Sequence, residues 1–241
     1  MVLASVGDSR AEPPAVGATR PGAGAVEVTL TDERSLKPDV VGEPLTLALD
    51  AVIGLTPDLA LGFSQSASAL GRMGGGGGWC RDSEAHDCAG AYAGGYLDAR
   101  WRVPGAATVT GLTRLGVDGT SPWRPVLRLG VIARGRDRLL WWAVQPEVAV
   151  ALGGRGNGNR DALQVPAWVG VDLAPVTVWA ESGLAGDLDE FADDVKIRLG
   201  VGAAARWRSV TGALAVGFPQ LLGPDATARI RVLTLALTWR R

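Results

Sequence analysis

The chain has 241 residues, of which 47% are hydrophobic and 20% charged, and its formal net charge at pH 7 is −1. This balance argues against nucleic acid as a partner, because nucleic-acid binding needs a concentrated basic patch. No stretch approaches the roughly 18 consecutive apolar residues of a transmembrane helix, so a helical membrane protein is excluded. Only Lys37 and Lys196 are lysines, although a soluble β-protein uses lysine freely on exposed faces and sheet edges. A single all-β domain is compatible with this length.

The N-terminal segment shows no periodicity and is predicted to be a flexible tail. Residues 1–23 contain three prolines together with several Gly and Ala, a composition typical of loops and linkers. The first seven residues are too short for the apolar region of a signal peptide and lack a basic start. We therefore hypothesise that an export signal was removed or left out. Residues 24–241 form the predicted folded domain.

Alternation of apolar with small or polar residues predicts twelve β-strands. In the second strand, Leu47 and Leu49 point to one face and Thr46 to the other, because successive side chains alternate. Pro146 and Pro166 fall within strands and predict bulges, since proline cannot donate to the hydrogen-bond ladder. The predicted strands are residues 25–31, 45–54, 59–70, 91–103, 108–117, 125–134, 138–152, 163–173, 176–184, 195–207, 210–218 and 228–239.

The last strand carries the most specific signal. Its bulky apolar residues share one face: Leu233, Leu235, Leu237 and Trp239. This pattern resembles the C-terminal strand of bacterial outer-membrane β-barrel (porin-like) proteins, which ends in alternating hydrophobics and a final aromatic. Arg240 and Arg241 depart from it, because that family usually ends on the aromatic itself. The resemblance implies an all-β, transmembrane antiparallel up-and-down barrel of 12 strands, with about 10–14 as the range, in the bacterial outer membrane. It also implies two partners: the lipid bilayer, and the outer-membrane assembly machinery, which uses the last strand as its signal.

The connections and the tryptophans agree with this resemblance. Short turns lie near residues 57, 104, 136, 174 and 208, and longer Gly-rich or acidic loops lie near residues 37, 80, 120, 157, 189 and 223. Outer-membrane barrels have that asymmetry. Four tryptophans of the apolar face sit at the short-turn ends of their strands and predict a membrane-interface girdle, because indole is apolar with one polar edge. They are Trp101, Trp142, Trp207 and Trp239.

The two cysteines, Cys80 and Cys88, close a short polar loop. This predicts a disulfide in an oxidising compartment. The alternative is a metal site that includes His86 and the nearby acids. Two cysteines and one histidine match no common zinc spacing, so no metal is predicted.

The face opposite the Leu/Val face is mostly Gly, Ala and Thr with isolated charges, which suits the inside of a barrel. The predicted pore-lining residues are Asp50, Asp98, Arg100, Arg102, Arg114, Arg128, Arg134, Glu147, Glu181, Lys196, Arg198 and Arg206. Eight are basic and four acidic, which predicts a narrow channel for small, preferentially anionic solutes or ions. The alternative is that these charges pair across the lumen and plug it. The barrel is then a scaffold or anchor that presents extracellular loops for binding or adhesion.

An outer-membrane lipid-modifying enzyme is the weaker hypothesis. A Ser–His mechanism needs a histidine positioned by a third group, and His86 in the cysteine loop is the only histidine. No phosphate loop, dinucleotide fingerprint or metal motif occurs. The sequence therefore predicts no catalytic residue and no cofactor.

Overall fold

The computed structural model describes residues 22–37, 40–65, 78–81, 92–106, 108–223, 228–229 and 231–241. In chain order the strands are β1 (Val26–Lys37), β2 (Val40–Gly54), β3 (Leu59–Ser64), β4 (Gly78–Arg81), β5 (Tyr92–Arg102), β6 (Val109–Thr120), β7 (Trp123–Asp137), β8 (Leu140–Val144), β9 (Glu147–Ala151), β10 (Ala162–Leu173), β11 (Val176–Asp187), β12 (Lys196–Trp207), β13 (Val210–Leu222) and β14 (Arg231–Arg240). A four-residue helix, α1 (Phe191–Asp194), lies between β11 and β12. None of the helices in these ranges has the length and apolar character needed to cross a bilayer.

The strands close into an antiparallel barrel. Strand β1 pairs with β2 on one side and with β14 on the other, so that Val28 lies opposite both Ala51 and Trp239. Strands β3 and β4 share one position in the wall, since both pair with β2 and with β5. Strands β8 and β9 likewise share the position between β7 and β10. The fourteen segments therefore occupy twelve positions, which confirms the predicted 12-strand barrel.

The two faces of the wall are the reverse of those of a soluble protein. On β12, Leu199 and Val201 face outward and are exposed, whereas Arg198 faces inward and is buried. The same alternation holds on β7, where Leu129 is exposed and Arg128 is buried. The Leu/Val face therefore meets the surroundings of the barrel and the charged face lines its interior, as the sequence predicted. A hydrocarbon environment stabilises this arrangement and water does not.

Several strands are longer than predicted at the end that carries the longer loops. Residues 32–42 were expected to form a polar connection, but β1 continues to Lys37 and β2 begins at Val40. The predicted loop 118–123 shrinks to the dipeptide Ser121-Pro122. Residues 78–81 of the predicted loop 71–90 form β4. In each case backbone pairing with a neighbouring strand decides the conformation, because it satisfies backbone donors and acceptors whatever the polarity of the side chains.

The two strand prolines do not produce bulges, so that prediction is wrong. Ala133 pairs with Val144, and Gly130 pairs with Glu147. The two pairs are three residues apart on each strand, so neither strand has an extra residue between them. The register is therefore the same on both sides of Pro146. Around it, Val131 N–H donates to the Pro146 carbonyl (3.1 Å), and Gln145 N–H donates to the carbonyl of Pro166 (2.9 Å). The ladder loses only the bonds for which proline has no N–H.

Some sequence-based expectations lie outside the described residues. These are the predicted tail up to residue 21, the glycine run up to residue 77, and Cys88 with His86. Cys80 lies on β4 opposite Thr46 and is buried. The Cys80–Cys88 disulfide therefore stays a prediction. The described part of the chain contains no group of three potential metal ligands.

Candidate functional site

One side of the lumen carries a continuous network of ion pairs, here called the arginine wall, formed by Asp98, Arg100, Arg114, Arg128 and Glu147. Register creates it, because Asp98 on β5 lies opposite Arg114 on β6, which lies opposite Arg128 on β7. Arg114 then reaches two carboxylates, with Nε 3.6 Å from Asp98 and Nη1 3.4 Å from Glu147. Arg100 holds Asp98 at 2.7 Å, and Arg128 holds Glu147 at 3.1 Å. All five side chains are at most 7% exposed.

The wall is held in place by contacts with Ser64, Asp118 and Tyr96. Ser64 on β3 donates its hydroxyl to Asp98 Oδ1 (2.9 Å). Arg128 Nη2 also donates to Asp118 (2.6 Å), and the Tyr96 hydroxyl donates to the same carboxylate. The Arg128 guanidinium lies 5.5 Å from the centre of the Tyr96 ring, within the range of a cation–π contact. These bonds fix the direction of the guanidinium groups and leave little rotamer freedom.

The rest of the lumen from β8 to β13 is lined largely by small residues and flat indoles. Trp141 lies over its cross-strand partner Gly170, and Trp179 lies over Gly202. A Cβ added to Gly202 would lie 2.2 Å from Trp179 Cζ2, so only glycine leaves room for the ring. Trp179 Nε1 donates to Glu181 (3.3 Å). Because each ring lies against a glycine of the neighbouring strand, these large aromatic side chains stay close to the β-sheet of the barrel.

A second buried ion pair lies on this side. Arg198 Nη2 is 3.2 Å from Glu181 Oε1, and both side chains are at most 7% exposed. The lumen therefore combines the arginine wall with a surface of small and aromatic side chains in which the Arg198–Glu181 ion pair is buried.

The other predicted pore-lining residues are not part of these networks. Asp50 accepts a hydrogen bond from the Gln65 amide (2.7 Å) at the end of β3. Arg102 lies at the rim, paired with Asp58 of the β2–β3 turn and 48% exposed. Arg206 Nε donates to the carbonyl of Arg208 in the next turn (3.0 Å). The remaining two are partly buried: Lys196, which pairs with Asp194, and Arg134.

Among the described residues, the predicted set omitted other charged residues of the inner face, including Glu27, Asp118, Arg124, Arg136, Asp172 and Arg240. Asp118 and Arg136 were placed in predicted loops, although strict alternation along β6 and β7 points both side chains inward. Asp172 pairs with Arg136 (2.6 Å) and accepts from the Thr177 hydroxyl (2.6 Å). Three of these six residues are acidic and three are basic, so they do not change the basic excess of the predicted set.

The seam between first and last strands is locked from inside. Arg240 Nε donates to Glu27 Oε2 (2.6 Å), and the hydroxyls of Thr29 and Thr238 are 2.8 Å apart. Glu27 is almost completely buried. Arg240, which departs from the usual aromatic ending, thus has a structural role at the closure.

One long loop is organised by an ion pair. Arg155 Nη2 donates to both carboxylate oxygens of Asp161 (2.9 and 2.8 Å), and Ala151 N–H donates to the same group (2.8 Å). The hydrogen bond from Arg155, followed by that from Ala151, lowers the pKa of Asp161 below its usual value. Asp161 therefore stays ionised at lower pH than an ordinary aspartate.

The four predicted girdle tryptophans all face outward. Trp101, Trp142, Trp207 and Trp239 are 38–72% exposed. Trp79 and Trp123 are also exposed and lie towards the opposite end of the barrel. Their role at the membrane interface stays a prediction.

The closed twelve-strand wall, with its apolar exterior and ionic interior, defines a porin-like β-barrel of the bacterial outer membrane. Among solved structures, the KdgM porin has 10% sequence identity and a TM-score of 0.56, and the match covers 88% of this chain and 98% of that chain. The NanC porin has 5% identity and a TM-score of 0.57 with the same coverage. A further KdgM structure is a complex with disordered oligogalacturonate, at a TM-score of 0.56. No known family profile and no curated protein matches the sequence, so these likenesses concern the fold.

Proposed function

We propose that this barrel is a narrow channel for small, preferentially anionic solutes. The observation that carries the proposal is the arginine wall, where guanidinium groups on three adjacent strands face the lumen. Across from it, the inner face consists largely of glycine, alanine and flat indoles. Basic groups concentrated on one wall of a pore favour anions.

The guanidinium groups of the wall keep hydrogen-bonding capacity. Within the described chain, Arg100 Nε and Arg114 Nε have no hydrogen-bond partner. Both atoms are buried, so a solute anion interacts with these guanidinium groups through their positive charge and not through a direct hydrogen bond to Nε. The oligogalacturonate complex of the KdgM porin, which holds an acidic sugar chain, is consistent with an anionic solute here.

A specific observation also favours a second function, a plugged scaffold that presents its loops. The charges of the arginine wall are paired and almost inaccessible to solvent. Under this alternative the ion pairs serve only to stiffen the barrel, and the lumen does not conduct. If the barrel is a channel, the low exposure of the arginine-wall side chains means that solutes pass through the space next to the small residues of the inner face.

Single-channel recording in a planar bilayer with a KCl gradient tests the proposal. We expect steady conductance with a reversal potential that shows preference for Cl⁻, and a lower preference in Arg100→Gln. Asp98 keeps Arg114 as a partner in that variant. Arg208→Gln is the control, because Arg208 lies in an exposed turn over the ring of Trp207. Insertion without conductance, verified by a heat-sensitive shift in gel mobility, contradicts the channel and supports the scaffold. Cation preference contradicts the anionic selectivity.

A further inference from the structure

Two arginines lie on the outer surface of the barrel, at the end that carries the longer loops. On β1, Thr29 and Thr31 face inward and are buried, so alternation places Arg34 on the outward face. On β14, Trp239 faces outward, and Arg231 lies eight residues before it on the same face. Both arginine side chains are exposed.

Register brings the two arginines together. Arg34 lies opposite Leu233, and Arg231 is two residues from Leu233 on the same face of the neighbouring strand. Diagonal neighbours of this kind are about 7–8 Å apart. Two long arginine side chains at that separation can contact one ligand.

The two arginines lie at the level of the lipid headgroups. Asp32, Leu47 and Trp79 share one rung of the sheet, on β1, β2 and β4. Trp79 is 47% exposed, and tryptophan is enriched at the membrane–water interface. Arg34 lies two residues beyond this rung and Arg231 four residues beyond it, towards the loops. At about 3.4 Å per residue and a strand tilt of about 40°, these offsets are about 5 and 10 Å in height.

Both guanidinium groups keep hydrogen-bond donors for a ligand. Arg34 Nε and Nη2 each donate one bond to Asp32 Oδ2, both at 3.2 Å. A guanidinium has five N–H donors, so three of them remain on Arg34. Arg231 lies 6.0 Å from the centre of the Phe218 ring, and no carboxylate of the described chain pairs with it. Because arginine forms bidentate hydrogen bonds with phosphate, the two side chains suit a phosphate group.

An apolar depression begins directly below the arginines. It has a volume of about 500 Å³, and Asp32 and Leu235 of its lining lie on the outward rung next to that of Arg34. From there it runs towards the short turns, as far as Leu237 and Val176. Apart from Asp32, its lining is apolar. The outer surface therefore has a phosphate-binding group above and a hydrocarbon-binding surface below, in the order in which a lipid molecule presents its two parts.

We propose that this face binds one phosphate-bearing lipid of the lipid A type, with a phosphate on Arg34 and Arg231 and an acyl chain in the depression. Charge complementarity selects a phosphorylated headgroup, and the apolar depression below it selects a lipid over a soluble phosphate. The longer loops of outer-membrane barrels are extracellular, so the leaflet at this level is the outer one, in which lipid A carries phosphate on its sugars. The inference does not depend on whether the lumen conducts.

Native mass spectrometry of the detergent-purified barrel, titrated with diphosphoryl lipid A, tests the proposal. We expect one lipid A to stay bound. Arg34→Gln and Arg231→Gln should each weaken its binding by about five- to tenfold, the effect of one arginine contact at a membrane surface. Arg208→Gln is the matched control, because Arg208 also lies over an exposed ring, 5.1 Å from the centre of Trp207, but at the short-turn end. It leaves the affinity unchanged.

A second pair of variants tests the place of the acyl chain. Ala203 lines the depression, so Ala203→Trp fills it and should weaken lipid A binding by about fivefold or more, in the range of other overpacked contacts. Ala99→Trp is its control, because Ala99 is an outward alanine on β5, across the barrel. It leaves the affinity unchanged.

Only variants with a heat-sensitive gel mobility, which reports a folded barrel, are scored; the tryptophan variants decide the outcome if the arginine variants do not fold. Absence of bound lipid A overturns the proposal, and so do equal losses in Arg231→Gln and Arg208→Gln or equal effects of the two tryptophan variants. Phosphatidylglycerol bound as tightly as lipid A also overturns it, and indicates a general attraction for anionic headgroups.

Discussion

Arg114 and Arg128 are neighbours in the same buried network, yet their contacts predict different costs of removal. Arg128 donates to Asp118 at 2.6 Å and to Glu147 at 3.1 Å, and it packs on the ring of Tyr96. Removing one partner of a buried, hydrogen-bonded ion pair typically costs about 3–5 kcal/mol. We therefore expect Arg128→Gln to lower the free energy of unfolding by about 3–5 kcal/mol.

Arg114 is buried to the same extent, but its carboxylate contacts are longer, at 3.4 and 3.6 Å. Each of its two carboxylates also keeps a closer arginine, Asp98 with Arg100 and Glu147 with Arg128. The loss in Arg114→Gln is therefore expected to be about 1.5–3 kcal/mol, in the range of one hydrogen bond to a charged group. Reversible urea unfolding in lipid vesicles, followed by tryptophan fluorescence, measures both values. A loss for Arg114→Gln that equals or exceeds that of Arg128→Gln refutes the assignment of strength by distance and partner number.

Two further outcomes follow from local geometry. Gly202→Ala places a Cβ 2.2 Å from the Trp179 ring, so we expect the free energy of unfolding to fall by about 1–3 kcal/mol. Gly212→Ala is the control, because no atom lies within 4 Å of the added Cβ. An equal loss of stability in Gly212→Ala contradicts the packing argument. The lowered pKa of Asp161 means that the stabilisation of its loop is complete above the pKa of an unfolded aspartate and is lost as pH falls through the lower folded pKa. The Ala151 amide shift in an NMR titration reports this transition, and Arg155→Gln should move its midpoint to higher pH; an unchanged midpoint contradicts the role of Arg155.

The sequence alone was sufficient for the barrel, its strand number and the direction of most side chains. Alternation has a period of two, and a bilayer outside with a polar lumen inside makes that alternation strict. Arg128 and Leu129 could therefore be assigned to opposite faces without coordinates. The same alternation, interrupted by turns and loops, predicted the count of twelve strands. Local composition failed where charged residues stayed in strands, as at Asp32, Arg34 and Asp118.

Only the tertiary structure decided which inward charges meet. Spacing along the chain does not specify the register between strands, and register places Asp98, Arg114 and Arg128 in one row. The same is true of Glu27 and Arg240, which are 213 residues apart in sequence and joined by closure of the barrel. Alternation assigns a side chain to a face, whereas hydrogen-bonded pairing between strands assigns it to a partner. The pattern is local, and partner choice depends on contacts that form only when the whole sheet closes.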